Sequence, residues 1–290
     1  MNPLIKKLVA SGPVLTDGAW GTEMQARGLA VGACPDAWNL ERPGRVEEVA
    51  RAYVEAGSRI ILTNTFGASR LALARHGLAE KAKAINRAGA EISRRAAGQA
   101  ALVFGSMGPS GKMLIMGEVS REQALEAFRE QAQALAEGGA DGLVIETMAD
   151  LEEAQLALAA ALQTGLPVVA CMVYDSGAGK DRTMMGVTAE QAAEALTQAG
   201  ADAIGANCGQ GIAGFVPICA RLRSKTDRPV WIKPNAGLPE LVGGKTVYAT
   251  TPEEFAGCAP ALVEAGASFL GGCCGTNPDF IRALRQALGA

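Results

Sequence analysis

The sequence has no long apolar run, no excess of basic residues and no leader peptide. None of its apolar runs approaches the ~20 residues that a membrane-spanning helix needs, and residues 1–10 lack the apolar core and cleavage site of a signal peptide. Lys and Arg number 27 against 30 Asp and Glu, a net charge of -3, and no basic stripe indicates nucleic-acid binding. We therefore expect a cytoplasmic protein with neither a membrane nor a nucleic acid as partner.

Histidine is almost absent, whereas cysteine is not. The single histidine, His76, follows Ala74 and Arg75, and we predict that it lies at the surface without a catalytic role. The seven cysteines are an odd number in a chain of 290 residues. Such usage is typical of reduced thiols or metal ligands rather than of a disulfide framework.

One local pattern recurs along the chain: a helical stretch ends in a turn of small residues, and a short apolar strand follows. The turns are Ala56-Gly57-Ser58, Gly138-Gly139-Ala140-Asp141, Ala199-Gly200-Ala201-Asp202 and Ala265-Gly266-Ala267-Ser268. Glycine after a helix, followed by a buried strand, is typical of a repeated βα unit.

The other apolar runs complete a set of eight strands that alternate with eight helices. The strands are predicted at residues 14–16, 59–63, 102–105, 143–146, 168–173, 203–205, 230–233 and 269–271. The helices are predicted at residues 46–56, 79–97, 121–137, 151–163, 189–198, 212–224, 252–264 and 278–288, with capping residues Ser120, Asp150, Thr188, Thr251 and Asn277. This alternation predicts an α/β fold, the (β/α)8 TIM barrel. No linker interrupts residues 1–290, so we predict a single domain. A doubly wound open sheet is the alternative, but no glycine-rich dinucleotide loop follows the first strand.

In such a barrel the functional residues lie at the carboxyl ends of the strands and in the loops after them. Polar residues cluster at those places here: Asp17-Gly18, Thr63-Asn64-Thr65, Ser106, Glu146-Thr147, Asn207-Cys208, Pro234-Asn235 and Cys273-Cys274. Strands six and eight are near neighbours in the ring, so the fold brings Cys208 close to the adjacent pair Cys273 and Cys274.

Three cysteines at neighbouring strand ends indicate a Zn²⁺ site. Three thiolates leave one position of a tetrahedral zinc open, which is typical of a catalytic site and suits a thiol substrate. The alternative is a purely structural role, in which Cys273 and Cys274 fill a tight turn or form a vicinal disulfide. Cys208 alone would be a buried free cysteine. The remaining cysteines are likewise predicted to be buried and free, with Cys34 semi-exposed and reactive: Cys34, Cys171, Cys219 and Cys258.

Nearly the whole chain resembles the homocysteine S-methyltransferase family of zinc-dependent barrels. The segments that carry the resemblance, in order, are residues 17–22, 63–66, 108–112, 145–147, 205–208, 234–239 and 271–276. The resemblance implies that Cys208, Cys273 and Cys274 bind zinc, with Asn235 near the metal as a weak fourth ligand until a thiol displaces it.

The resemblance also assigns the substrate contacts. It implies that Asp17 and Glu146 face the ammonium of homocysteine, and that backbone amides and hydroxyls around Thr65 and Ser106 take its carboxylate. Gly18 and Asn207 are placed with them as substrate-binding residues. Asp17 and Glu146 could instead cap helices, and Thr65, Ser106 and Asn207 could instead serve loop hydrogen bonds.

The methyl donor is left open by the residues. The chain has no companion module, so the donor is either a small molecule or a methyl-corrinoid (cobalamin) carried by another protein. The Cys-Cys-Gly-Thr motif at residues 273–276 resembles the cobalamin-dependent branch, which favours a corrinoid protein as donor and methionine as product. The alternative is transfer from a methylated small molecule to a corrinoid protein. Two further alternatives are a non-catalytic zinc- or thiol-binding partner of a corrinoid protein and a structural zinc protein.

Overall fold

Eight parallel strands form a closed ring in the computed structural model, which describes residues 1–242 and 245–289, so the predicted domain is described except for residues 243, 244 and 290. The order around the ring is β1, β10, β7, β6, β5, β4, β3 and β2, and a parallel bridge between Thr16 and Ile60 closes it. The predicted (β/α)8 TIM barrel is therefore confirmed. The ring strands are β1 (Val14–Leu15), β2 (Ile60–Leu62), β3 (Leu102–Met107), β4 (Gly142–Met148), β5 (Val168–Met172), β6 (Ala203–Gly211), β7 (Val230–Asn235) and β10 (Ala267–Leu270).

A small antiparallel hairpin, β8 (Pro239–Val242) and β9 (Lys245–Tyr248), lies outside the ring. The helices are α1 (Pro3–Val9), α2 (Gly21–Ala26), α3 (Trp38–Glu41), α4 (Pro43–Ala56), α5 (Arg70–Leu73), α6 (Ala82–Ala97), α7 (Arg121–Glu137), α8 (Leu151–Leu162), α9 (Ala189–Gln198), α10 (Phe215–Arg223), α11 (Pro252–Gly257), α12 (Ala259–Glu264) and α13 (Pro278–Leu288). Across the described residues, no helix combines the length and the apolarity needed to cross a bilayer.

The five predicted capping residues all begin helices. Each side chain accepts a hydrogen bond from a backbone N–H of the first turn, which satisfies a group that the helix itself leaves unpaired. The helix predicted over 252–264 is interrupted at Cys258, because Pro260 in the next turn has no N–H to continue the hydrogen-bond ladder. Strands β6 and β7 run further than predicted, to Gly211 and Asn235, which pair with each other.

The barrel interior is filled by apolar side chains. Trp231 of β7 lies between Phe104 and Phe269, with ring centroids 6.1 Å and 5.0 Å away. The unpredicted helix α1 adds Ile5 to this cluster from the amino-terminal end of the strands. The backbone N–H of Asn2 donates to Asp202, directly before β6, and holds α1 in place. The packed interior leaves the carboxyl ends of the strands as the place for a site.

Candidate metal and thiol site

The three predicted cysteines meet at the carboxyl ends of neighbouring strands. Cys208 lies in β6, and Cys273 and Cys274 follow β10; β7 separates these two strands in the ring. The three Sγ atoms all lie within 4.8 Å of one another, and those of Cys208 and Cys274 are 4.0 Å apart. The fold thus closes a gap of 66 positions in the sequence. No disulfide joins any of the seven cysteines, all of which are in the described part of the chain.

The spacing and chemistry of these donors fit a zinc ion. Two sulfurs bound to one tetrahedral zinc at about 2.3 Å lie about 3.8 Å from each other, close to the observed 4.0 Å. Asn235, at the end of β7, hydrogen-bonds to the sulfur of Cys208, and its own Oδ1 is buried without a hydrogen-bond partner. An unpaired buried carbonyl oxygen beside three sulfurs suits a weak fourth ligand.

An irregularity in β6 aims Cys208 at the other sulfurs. The pairing of β6 with β7 shifts between Asn207 and Gly211, and Cys208 has a φ of 64°, in the left-handed region that residues with a side chain seldom adopt. Bulges of this kind redirect a side chain beside functional sites. The backbone conformation therefore fits a positioned ligand better than a filler of the core.

Glycines make room for the cysteine pair. A Cβ on Gly272 would collide with the side chain of Thr276, and one on Gly275, whose φ is 83°, would enter the ring of Tyr248. The pair is anchored by backbone hydrogen bonds to the end of β7: Cys273 N donates to Pro234 O at 2.7 Å, and Ala236 N donates to Cys274 O at 3.0 Å.

The three thiols do not ionise independently. Hydrogen bonds from Cys273 and Cys274 hold the pKa of Cys208 far below its ordinary value, whereas hydrogen bonding to Cys208 raises the pKa of both other thiols. One of the three thiols therefore ionises readily, and its negative charge opposes the ionisation of the other two. A divalent cation supplies the charge that allows all three to be thiolates.

Below the sulfurs lies a group of buried charges. Asp17 is fully buried; its Oδ1 accepts from the ammonium of Lys233, and its Oδ2 accepts from Trp20 Nε1 at 2.8 Å and from Leu62 N at 2.7 Å. Burial lowers the pKa of Lys233, but the carboxylates of Asp17 and Glu146 outweigh it and hold the pKa above its ordinary value. The charged form of Lys233 is therefore favoured within the site.

Glu146, at the end of β4, accepts a hydrogen bond from Ser106 Oγ. Burial raises its pKa, although the ammonium of Lys233 opposes the rise. Thr65 is fully buried and donates from Oγ1 to Ser106 O at 2.8 Å. Gly18 lies where a Cβ would come within 2.7 Å of the Tyr53 hydroxyl and 2.8 Å of Thr276 Oγ1.

Asn207 joins the ends of β4 and β6. Its Oδ1 accepts from Thr147 N at 2.7 Å and its Nδ2 donates to Thr147 Oγ1 at 2.7 Å, while Nδ2 also reaches Cys273 Sγ at 3.9 Å. Thr147 has a φ of 61°, which is strained for a β-branched residue. All the predicted site residues thus lie at one end of the barrel, although the polar groups of Thr65 and Asn207 form hydrogen bonds within the protein.

Three residues of this end were not predicted from the sequence to belong to the site. Lys233 could have been found, because an ionisable residue that ends the apolar run Val230-Trp231-Ile232 indicates a buried charge with a partner. Thr147 was noticed only as a strand-end residue. Tyr248 had no signal in the sequence, because it reaches the site from the unpredicted hairpin. Burial and the three cysteines raise its pKa to about 12, and its hydroxyl forms a hydrogen bond with Cys274.

The other cysteines and the histidine lie outside this cluster, and Cys258, which was expected to be buried, is half-buried. Cys171 and Cys219 are buried, Cys34 and Cys258 are half-buried, and His76 is exposed. None of them belongs to the cluster of possible metal ligands found within the described residues.

Comparisons with known proteins agree with this geometry. The family model described as homocysteine S-methyltransferase matches residues 14–288. Methionine synthases of Mycobacterium leprae and Mycobacterium tuberculosis are 33% and 32% identical to this chain over 94% of its length. The chain spans only 24% of the length of either relative.

Solved structures resemble the chain over its whole length. The metallated form of the homocysteine methyltransferase MmuM from Escherichia coli has a TM-score of 0.79 at 26% identity and covers 98% of this chain and 99% of that one. The apo form has a TM-score of 0.75 at 26% identity. The match of the family model to almost all of the sequence decides the assignment. The chain belongs to the homocysteine S-methyltransferase family.

Proposed function

We propose that this protein methylates the sulfur of homocysteine, with Zn²⁺ held by Cys208, Cys273 and Cys274, and gives methionine. The observation that carries the proposal is the meeting of three Sγ atoms within 4.8 Å of one another at the open end of the barrel. The names of the relatives support the substrate: the Escherichia coli protein is a homocysteine methyltransferase and the mycobacterial proteins are methionine synthases.

A Zn²⁺ ion at these sulfurs would supply positive charge that lowers the pKa of a substrate thiol, which is otherwise mostly protonated at neutral pH. The residues of the chain orient that thiol. Asn235 offers its unpaired Oδ1 at the position that the thiol would take over. Asn207 and the Gly272 turn hold the cysteines, and the three thiolates together keep the electron density at the site high.

The amino-acid end of homocysteine requires acceptors for its ammonium and donors for its carboxylate. Glu146 and Asp17 provide carboxylates at the strand ends, and Gly18, which lacks a Cβ, lets the Tyr53 hydroxyl and Thr276 pack beside Asp17. The hydroxyl of Ser106 is shared with Glu146, and the Thr65 hydroxyl is bound to Ser106 O. We therefore place the carboxylate at backbone amides of these loops rather than at the two hydroxyls.

As methyl donor we propose a methyl-corrinoid carried by a partner protein. The similarity to methionine synthases over 94% of this chain supports a corrinoid donor. A rim of exposed apolar side chains on the loops after β3 and β5 supports a donor of protein size: Met113, Ile115, Met116, Met184 and Met185. Seven free cysteines fit a reducing compartment such as the cytoplasm, and we assign the whole activity to one domain over residues 1–290.

Zinc content and zinc-edge X-ray absorption, with and without homocysteine, test the proposal. We expect about one zinc per chain with three sulfur ligands, rising to four when homocysteine is added. Three sulfurs that do not change would keep the metal site and refute homocysteine as substrate. Mixing the protein with a methylated corrinoid protein and homocysteine then tests the donor, because demethylation changes the corrinoid spectrum. Methylation of the corrinoid by a small methylated compound instead would support the reverse direction.

A further inference from the structure

The fully buried Asp17 has no room for a ligand. Its side chain has 0% exposure and already accepts three hydrogen bonds, from Lys233 Nζ, Trp20 Nε1 and Leu62 N. A carboxylate has about four acceptor positions, so almost all its capacity is used within the protein. A substrate ammonium could reach Asp17 only by displacing Lys233.

Lys233 is a built-in cation at the place where a substrate ammonium was expected. Its side chain is 3% exposed, and it projects from β7 two residues before Asn235. In the ring it pairs with Asn207, the neighbour of Cys208. The ion pair therefore lies within the site, beneath the sulfurs, and not at the distant end of the barrel.

Glu146 differs from Asp17 in having fewer partners within the protein. One of its carboxylate oxygens accepts from Ser106 Oγ, and within the described residues it takes part in no ion pair. It keeps 8% of its surface accessible. Asp17, Glu146 and Lys233 together carry one net negative charge, which matches the single ammonium of an amino-acid substrate. Since the oxygens of Asp17 are already occupied by hydrogen bonds, Glu146 is the carboxylate left for that ammonium.

We infer that Lys233 permanently fills the cation position beside Asp17, and that Glu146 alone recognises the ammonium of the thiol substrate. Lys233 is then a positioning residue that decides which carboxylate the substrate meets. The inference rests on the proposed function and deepens it. It departs from the assignment of both Asp17 and Glu146 to the ammonium, which the resemblance implied.

The test compares two thiols that differ only in the ammonium: homocysteine and 4-mercaptobutanoate. Their dissociation constants are measured by calorimetry on zinc-loaded protein, and the ratio of the two is the selectivity. A hydrogen bond between charged groups favours homocysteine by about tenfold or more in the unaltered protein. We expect Glu146→Gln to bring the ratio close to one while the constant for 4-mercaptobutanoate stays within about twofold.

Two further variants separate the roles. Glu153→Gln is a matched control, because Glu153 is also a buried glutamate that accepts from a serine hydroxyl, that of Ser110, and it should keep the ratio. The double variant Asp17→Asn/Lys233→Met removes both charges of the buried pair together, and we expect it to keep the selectivity within about threefold of the unaltered protein.

The outcomes are distinct. If the unaltered protein binds neither thiol, the proposed function fails and the inference with it. If homocysteine binds but Glu146→Gln keeps the selectivity, or the double variant loses it, the inference alone is overturned. If the double variant does not fold, a crystal structure of the zinc-loaded protein with homocysteine decides. We expect the ammonium on Glu146 with Lys233 still on Asp17, and an ammonium on Asp17 would overturn the inference.

Discussion

Replacement of Asn207 by alanine tests whether its side chain clamps the strained Thr147 beside the site. The change deletes two hydrogen bonds of 2.7 Å from a side chain that is 1% exposed. Each bond contributes about 1 kcal/mol, and buried groups left without a partner add to the loss, so we expect about 2–4 kcal/mol of destabilisation. The unfolding entropy of 290 residues is about 0.6 kcal/mol per degree, which converts this loss into a fall in Tm of about 3–7 °C.

The assay is differential scanning calorimetry on metal-free protein, followed by zinc content and homocysteine binding. Zinc content should stay near one per chain, because Asn207 supplies no sulfur, whereas thiol binding should weaken because the clamp lies between Glu146 and Cys208. Asn86→Ala is the matched control: Asn86 is fully buried and donates to Ala68 O and Ala82 O at 2.7 Å and 2.8 Å. It should cost similar stability without weakening thiol binding.

A second substitution tests whether Asn207 acts through Thr147. Glycine at position 147 adopts a φ near 61° without strain and lacks the hydroxyl. Asn207→Ala should therefore cost about 1 kcal/mol less in a Thr147→Gly background than in the unaltered protein. The reasoning is refuted if the two costs are equal, or if Asn207→Ala lowers Tm by less than about 1 °C.

Three other predictions concern the metal and the pH dependence. Chelation of zinc should abolish methyl transfer and leave the far-ultraviolet circular dichroism intact, because the sulfurs lie at the rim of an apolar core; a cooperative loss of signal would contradict this. Cys208→Ser should lower zinc affinity at least about 100-fold, more than outer-shell changes do, whereas the half-buried Cys258→Ser should not; equal losses in competition with a chelator would refute the ligand assignment. Burial raises the pKa of Asp36 from 3.8 to about 6, so the folded state binds this proton more tightly than the unfolded state does. The free energy of unfolding should therefore fall as the pH rises from about 4 to 6, and stay constant above that. Asp36→Asn should remove that slope in thermal melts and add about 2–3 kcal/mol at pH 7; an unchanged slope would show that the raised pKa is absent.

Local signals were sufficient to predict the barrel. The bounds of α7, α9 and α13 agree with the predicted ranges because capping residues begin these helices and their apolar spacing is regular. The β8–β9 hairpin and α1 were missed, since both are short and owe their place to contacts with distant residues. Ile5 is buried only because the barrel interior surrounds it.

The site was predictable where its residue types are unusual. Adjacent cysteines between glycines point to a metal without any knowledge of the fold, and the strand alternation then adds Cys208. The pairing of Lys233 with Asp17 spans 216 positions and leaves no local pattern, so only the closed ring of strands reveals it. The strained φ of Thr147 is likewise invisible in a sequence, because it is imposed by a side chain from another strand.

The helix α1 has a consequence for the order of events in catalysis. Its Ile5 packs on the apolar interior at the amino-terminal end of the barrel, so among the described residues the carboxyl ends of the strands are the side from which the site is approached. The proposed thiol and methyl donor would then both approach the site from this side. If the donor is a protein, as proposed, it would cover this end of the barrel when bound, so the smaller thiol would have to bind first. Initial-rate kinetics should accordingly show compulsory order, with the thiol leading.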